Sequence, residues 1–324
     1  MAQLLLIGIG AGAAAALLFA SLISGSLFSI FLFYLSPLPI LIAAIGWSHW
    51  AALFAALFAA VGLAAVFGVF FFLAFLIGVG LPAWWLGYLA LLARPSRQGD
   101  GLEWYPAGSL VAWAALVAAI VVMAALPSFG ADEASLRATL RSGVERVLRL
   151  QMRTPANAPL ELPGRADINR VVDILLLVIP PIAAMFATVT NTLNLWLAGR
   201  IVRLSGNLKR PWPDLSTMSF PAYAPLLLAA ATLGSFVSGV VGIAASVLGA
   251  SLLMAYALLG FAVLHSITRG MDSRSFLLAG VYAAVAVFYW PLLIVTLLGL
   301  IDTAIDIRGR VARRRPPPTP PTTI

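Results

Sequence analysis

Charge is scarce in this chain. Only 10% of its 324 residues are Asp, Glu, Lys or Arg, where an average soluble protein has roughly 25%. None of the four occurs before Arg94, and none occurs in residues 215–268. Water-soluble domains carry a charged surface, so these stretches exclude a soluble fold. Cysteine is absent, which excludes disulfides, thiolate metal sites and cysteine nucleophiles. Histidine is limited to His49 and His265, too few for a His-rich metal centre, and no cofactor is expected. The sequence also lacks an HExxH zinc motif, a phosphate-binding P-loop and a Ser, His and Asp order of the hydrolase kind. It is therefore not expected to be an enzyme.

What fills the chain is apolar, 62% of it hydrophobic. A run of about 20 apolar residues crosses the ~30 Å hydrocarbon core as a helix. The expected fold class is all-α, a polytopic helical membrane protein. Charged breaks leave apolar blocks at 1–93, 105–128, 174–199, 215–268 and 275–301. Blocks 105–128, 174–199 and 275–301 read as one span each, and 215–268 as two, near 221–241 and 244–267. The first block holds four helices if the chain turns near residues 24–26, 46–50 and 68–72, or three if one segment is re-entrant. Pro37 and Pro39 interrupt its second helix. The count is nine spans, with eight as the alternative. Residues 1–310 are read as one membrane domain, its first helix a retained span and not a cleaved signal. The tail 311–324 is basic and then Pro-rich, and is expected to be extended and mobile.

The net charge of +8 sits in the loops, where membrane orientation and anionic headgroups place it, so nucleic acid is not the expected partner; the lipid bilayer is. Basic residues divide so evenly between the two faces that orientation stays open. The one sizeable hydrophilic segment, 132–173, begins with an amphipathic pattern. Leu136, Leu140, Val144, Val147 and Leu148 fall at helical spacing, with Arg137, Arg141 and Arg149 elsewhere on the wheel. Such a helix lies flat at the membrane interface or docks on the protein's own loops. A Pro-broken loop follows, and Asp167 is placed to cap the next helix.

Several groups of residues are candidates for function. Gly8, Gly10 and Gly12 open a helix without a preceding strand, so they read as a close-packing face with Ala11 and Ala15 and not as a dinucleotide fingerprint. Ser238, Gly242, Ser246 and Ala250 form a second small-residue stripe. The most polar span carries Thr188, Asn191 and Asn194 on one side, past Pro180 and Pro181. Amides within hydrocarbon need partners, so these side chains face either another helix or a polar substrate. His265 and Tyr256 fall on opposite sides of one helix, and His49 lies between Trp47 and Trp50 as an interfacial residue would. Near the end of the last span Asp302, Asp306 and Arg310 succeed one another by single turns, a spacing that suits an ion pair from Asp306 to Arg310.

With those residues in view, the chain resembles the YybS-like family of bacterial membrane proteins. The matching segments are GLPAWWLGYLALLARP, RPWPDLSTMSFP, YALLGFAVLH and LLGLIDTAIDIRGR. That family is similar, at fold level, to the membrane-embedded substrate-binding subunits of energy-coupling-factor transporters. The resemblance implies a bacterial inner-membrane bundle that binds a small molecule and docks another membrane subunit through a small-residue face on its first helix, here Ala11 and Ala15. It supplies no ligand residues. Two functions are expected from different classes: a small-molecule binding or transport subunit using Thr188, Asn191 and Asn194, or a membrane scaffold that holds protein partners or lipid. A lipid-modifying enzyme using Asp302 and Asp306 stands third.

Overall fold

The computed structural model describes residues 2–96, 101–130, 133–152, 168–214 and 217–314. Arg97, Asp132, the Pro-broken loop with Asp167, and the tail from residue 315 lie outside them.

Four apolar rods fill the charge-free block. The first is α1 (Ala2–Ala20), which continues as a 3-10 turn to Ser24. The second is α2 (Leu27–Tyr34) and α3 (Leu38–Gly46), separated where Pro37 and Pro39 remove backbone donors. The third is α4 (His49–Phe67), capped by Ser48, whose hydroxyl accepts from the Trp50 N–H. The fourth joins α5 (Val69–Phe75) to α6 (Leu81–Ala90) through a π-turn at Leu76–Gly80. Gly25 and Gly68 make two of the turns between rods at φ of 66° and 93°, a region open to glycine because it lacks a Cβ. The four-helix expectation for this block holds.

Small residues set how these rods pack. A Cβ added to Gly12 would lie 2.6 Å from the Ala55 carbonyl oxygen of α4, and one on Gly8 would meet Phe54. Ala15, Ala51, Ala52 and Ala55 have at most 1% exposure. Backbones approach this closely only where side chains are absent or a single methyl.

A short hairpin, β1 (Ala93–Pro95) with β2 (Leu102–Trp104), leads into α7 (Ala107–Ala125). Next come α8 (Glu133–Met152) and α9 (Ile168–Leu204). The 37 residues of α9 run about 55 Å, longer than a bilayer core is thick. Pro180 and Pro181 lie within it without ending it. It is the central post, packed on α3, α7, α8 and the later helix over residues 240–267. The amphipathic α8 docks on its first turns: Leu136 is buried, Arg137 is ion-paired with Asp173, and Arg141 donates to the Asn169 side chain at 3.2 Å. Leu140, Val144 and Leu148 are half-buried, whereas Val147 and Leu150 remain exposed.

The C-terminal helices depart from the expected spans. Residues 221–241 hold only the eleven-residue α10 (Ala224–Gly234), followed by α11 (Val240–Ile267). The block 275–301 is not one helix. It divides into α12 (Arg274–Phe288) and α13 (Pro291–Ile305) at Tyr289, whose φ is 58°. Tyr282 of α12 stacks on Phe261 at 4.9 Å, and Val295 of α13 meets Gly260. Both helices thus reach the same level of α11, so α12 lies beside its end and does not carry the chain across the bundle. Among the described residues seven rods are long and apolar enough to cross a membrane, and α10, α12 and α13 are shorter apolar helices.

Glycine again decides the tightest crossing. A Cβ on Gly260 would collide with the Val295 carbonyl, and one on Gly299 with the Tyr256 carbonyl. Helix α10 packs on α11 through Gly234 against Ala245 and Ala231 against Gly249. That stripe is offset from the expected Ser238, Gly242, Ser246 and Ala250, because Ser238 lies outside the helix and Gly239 forms its N-cap.

Candidate functional site

The polar stripe of α9 faces protein. Thr188, Asn191 and Asn194 are 0%, 7% and 1% exposed. The Thr188 hydroxyl donates back to Ala184 O at 2.8 Å, the usual fate of a threonine inside an apolar helix. The Asn194 amide donates to Thr190 O and to Tyr34 O, each at 2.8 Å. Tyr34 ends α2, where the bend at Pro37 withdraws the helical donor its carbonyl would otherwise meet. Asn194 therefore latches the broken second rod to the central post. Asn194→Ala should lower the unfolding free energy by about 1–2 kcal/mol, measured by denaturant titration in micelles. Asn191→Ala, which breaks no hydrogen bond among the described residues, should cost less. Equal stability of Asn194→Ala and wild type would remove the latch.

The space suited to a ligand opens one stripe further round α9. A cavity of about 600 Å³ is walled by Val189, Leu193 and Trp196 of α9, Leu110 and Val111 of α7, and Leu258 and Phe261 of α11. Thr188, Asn191 and Asn194 do not line it. Its mouth is built from Arg210, Trp212 and Asp214 of the segment after α9, together with His265, Arg269 and Arg274.

That mouth follows from local sequence. Pro211 and Pro213 hold the chain extended on either side of Trp212, as proline's fixed φ requires. The indole ring meets two cations of α9, Arg200 at 5.6 Å and Arg203 at 5.3 Å. Gly199 leaves room for it, since a Cβ there would be 3.4 Å from the Trp212 ring. Arg210 turns inward and donates to Ala90 O at 3.1 Å and Tyr105 O at 3.2 Å. It thereby caps the C-terminus of α6, where a cation is favoured by the helix dipole. Burial lowers the Arg210 pKa from the ordinary guanidinium value, because desolvation penalises the charged form. Asp214 pairs with Arg269 at 3.1 Å. Below the mouth the chain stays irregular, with single residues turned inward: Met218 is 6% exposed, Ser219 O abuts Gly108, and Phe220 meets Tyr256 edge-on at 5.0 Å.

The remaining candidates separate. His265 lines the cavity with Nδ1 3.0 Å from Phe261 O, whereas Tyr256 is buried away from it. His49 sits between the rings of Trp50 and Tyr88, 4.9 and 5.2 Å away. Of the expected docking face, Ala15 is fully covered within the chain and Gly12 abuts α4, whereas Ala11 is half-buried.

The expected Asp306 to Arg310 pair is not formed. Helix α13 ends at Asp306, whose φ of 49° and ψ of 64° break the helical register. The turn brings Arg308 of α14 (Ile307–Arg314) back to the buried Asp302 at 2.7 Å, and leaves exposed Asp306 4.0 Å from Arg313. With Asp302 engaged by Arg308 and Asp306 exposed, the two carboxylates do not converge on a common site.

Sequence reasoning passed over Trp196, Arg210, Trp212 and Arg274. The Pro211, Trp212 and Pro213 run beside Arg210, in the segment that follows Gly199 and Arg200 of α9, was the available signal. Residues 13–303 match the family described as Predicted membrane protein (DUF2232). No curated protein and no solved structure matches the chain. An all-α bundle with seven long apolar rods, matched over residues 13–303, makes the family plain: the chain belongs to the DUF2232 membrane proteins.

Proposed function

We propose that this protein binds a small molecule at the membrane, in the cavity between α7, α9, α11 and the segment carrying Trp212. The supporting observation is the cavity itself, about 600 Å³ with apolar walls and polar groups gathered at one end, the usual anatomy of a ligand site. In this respect the protein is like the substrate-binding subunits of energy-coupling-factor transporters, placed in a bacterial inner membrane and dependent on a separate ATPase and membrane subunit for any transport. Binding without chemistry fits a lining that holds a single carboxylate, already engaged by Arg269.

Thr192 lines the cavity and is half-buried. Thr192→Phe should remove most of the small molecule that co-purifies with the wild type, read by mass spectrometry of the extracted protein. Its melting temperature should stay within about 2 °C of wild type. A wild-type protein that carries no molecule, or one whose content Thr192→Phe leaves unchanged, would sink the reading. Those results would favour a scaffold, which the exposed Val147 and Leu150 of the docked α8 also suit.

A further inference from the structure

The two ends of the cavity differ in kind. Arg210, Arg269 and Arg274 line the mouth with Asp214 as its lone carboxylate, and that carboxylate is taken by Arg269. The Arg274 side chain makes no ion pair or hydrogen bond among the described residues, and its Nε is buried. The terminal nitrogens of Arg210 meet only neutral carbonyls, and its Nε too is buried without an acceptor. A guanidinium drawn out of water without a counter-charge is strongly unfavourable. Arg210, half-buried with its Nε enclosed, and the half-exposed Arg274 beside it leave the lining a positive excess that an anion would neutralise, and guanidinium nitrogens suit phosphate and carboxylate oxygens.

The other end is apolar apart from Thr192, whose hydroxyl already donates to Thr188 O at 2.8 Å. Leu193 and Trp196 line the cavity yet are 48% and 42% exposed. They lie on a helix too apolar to face water, so the cavity opens sideways through a surface that lipid covers. A water-soluble anion would use the mouth and leave this apolar flank empty.

We infer that the cavity takes an anionic amphiphile of the membrane-lipid class, its phosphate or carboxylate head on Arg274 and Arg210 and its acyl chain along Leu193 and Trp196. This rests on the cavity being a binding site, as proposed above. A free phosphate shares the head chemistry and lacks the tail, so the test must separate the two.

The full chain is purified in a neutral detergent and offered equal amounts of phosphatidylglycerol and phosphatidylcholine with identical acyl chains. Bound lipid is counted by native mass spectrometry. Wild type should retain phosphatidylglycerol over phosphatidylcholine by about tenfold, and Arg274→Gln should reduce the ratio to about twofold. Arg94→Gln removes a guanidinium that pairs with Glu103 outside the cavity, and should leave the ratio at the wild-type value. Phosphatidylglycerol with brominated chains should quench tryptophan fluorescence in wild type more than in Trp196→Phe.

Equal retention of the two lipids by wild type would overturn the anionic head. Loss of phosphatidylglycerol to excess inorganic phosphate, with no difference in quenching between wild type and Trp196→Phe, would overturn the lipid tail in favour of a soluble anion. Thr192→Phe distinguishes these failures from failure of the site: if it abolishes retention, the cavity binds but the ligand class is wrong. If it leaves retention untouched, the cavity reading falls as well.

Discussion

Gly260→Ala is expected to destabilise the folded protein by about 3 kcal/mol, the upper range for overpacking a close contact. The added methyl would strike the Val295 carbonyl of α13. That group is backbone, which cannot rotate away as a side-chain end can. Helices α11 and α13 would have to separate along a seam where Gly299 is equally tight against Tyr256 O. Gly280→Ala provides the contrast. Nothing lies within 4 Å of a Cβ there, so alanine should leave stability unchanged or raise it by up to about 1 kcal/mol through helix propensity. Denaturant titration in micelles, followed by circular dichroism, measures both. Coincident curves for Gly260→Ala and wild type would show that the α11 and α13 contact contributes nothing to the fold.

Asp302→Ala should cost a similar amount, about 3 kcal/mol, because removing one member of a buried ion pair leaves the other charge in poor surroundings. The Asp302 side chain is 2% exposed and that of Arg308 15%. The carboxylate accepts from the Arg308 backbone N–H at 3.1 Å and from its Nε at 2.9 Å. Three contacts from one residue make this a clasp between α13 and α14. The double variant Asp302→Leu with Arg308→Met should recover most of the loss, since well-packed apolar groups often replace such a pair at no net expense in stability. Asp306 forms a different kind of contact. Its side chain is 65% exposed, 4.0 Å from Arg313, and caps the Gly309 N–H at 3.0 Å. Asp306→Ala should cost only about 1 kcal/mol, as loss of a cap does. Equal losses for the two aspartates would contradict the geometry.

Much of the architecture was legible in the residues. The charge-free block divides into four rods with turns at the expected places because Gly25, Gly68 and the two prolines act locally. The amphipathic stripe of α8 was readable for the same reason, and Leu136, Leu140, Val144 and Leu148 do face inward. The site was less legible. Thr188, Asn191 and Asn194 stood out as polar residues in an apolar span, but polarity in lipid asks only for a partner. For Asn194 that partner is a carbonyl 160 residues away in sequence. Trp196 drew no notice because an aromatic residue in a membrane helix is ordinary.

The sequence by itself determined the class of this protein. Long runs without charge admit only helices in a bilayer, and that conclusion follows from composition and local hydrogen bonding alone. It also marked the small-residue face of α1 and the polar stripe of α9. Only the tertiary structure decided what those faces touch: Gly8, Gly12 and Ala15 are covered by the protein's own helices, and Asn194 closes a bend in another rod. The break at Tyr289 and the cavity were likewise decided there. A cavity is space left between α7, α9, α11 and an extended segment, and its shape depends on contacts between residues far apart in the chain. No periodicity within one helix encodes such a gap, so the cationic mouth at Arg210 and Arg274 emerged only when the helices were assembled.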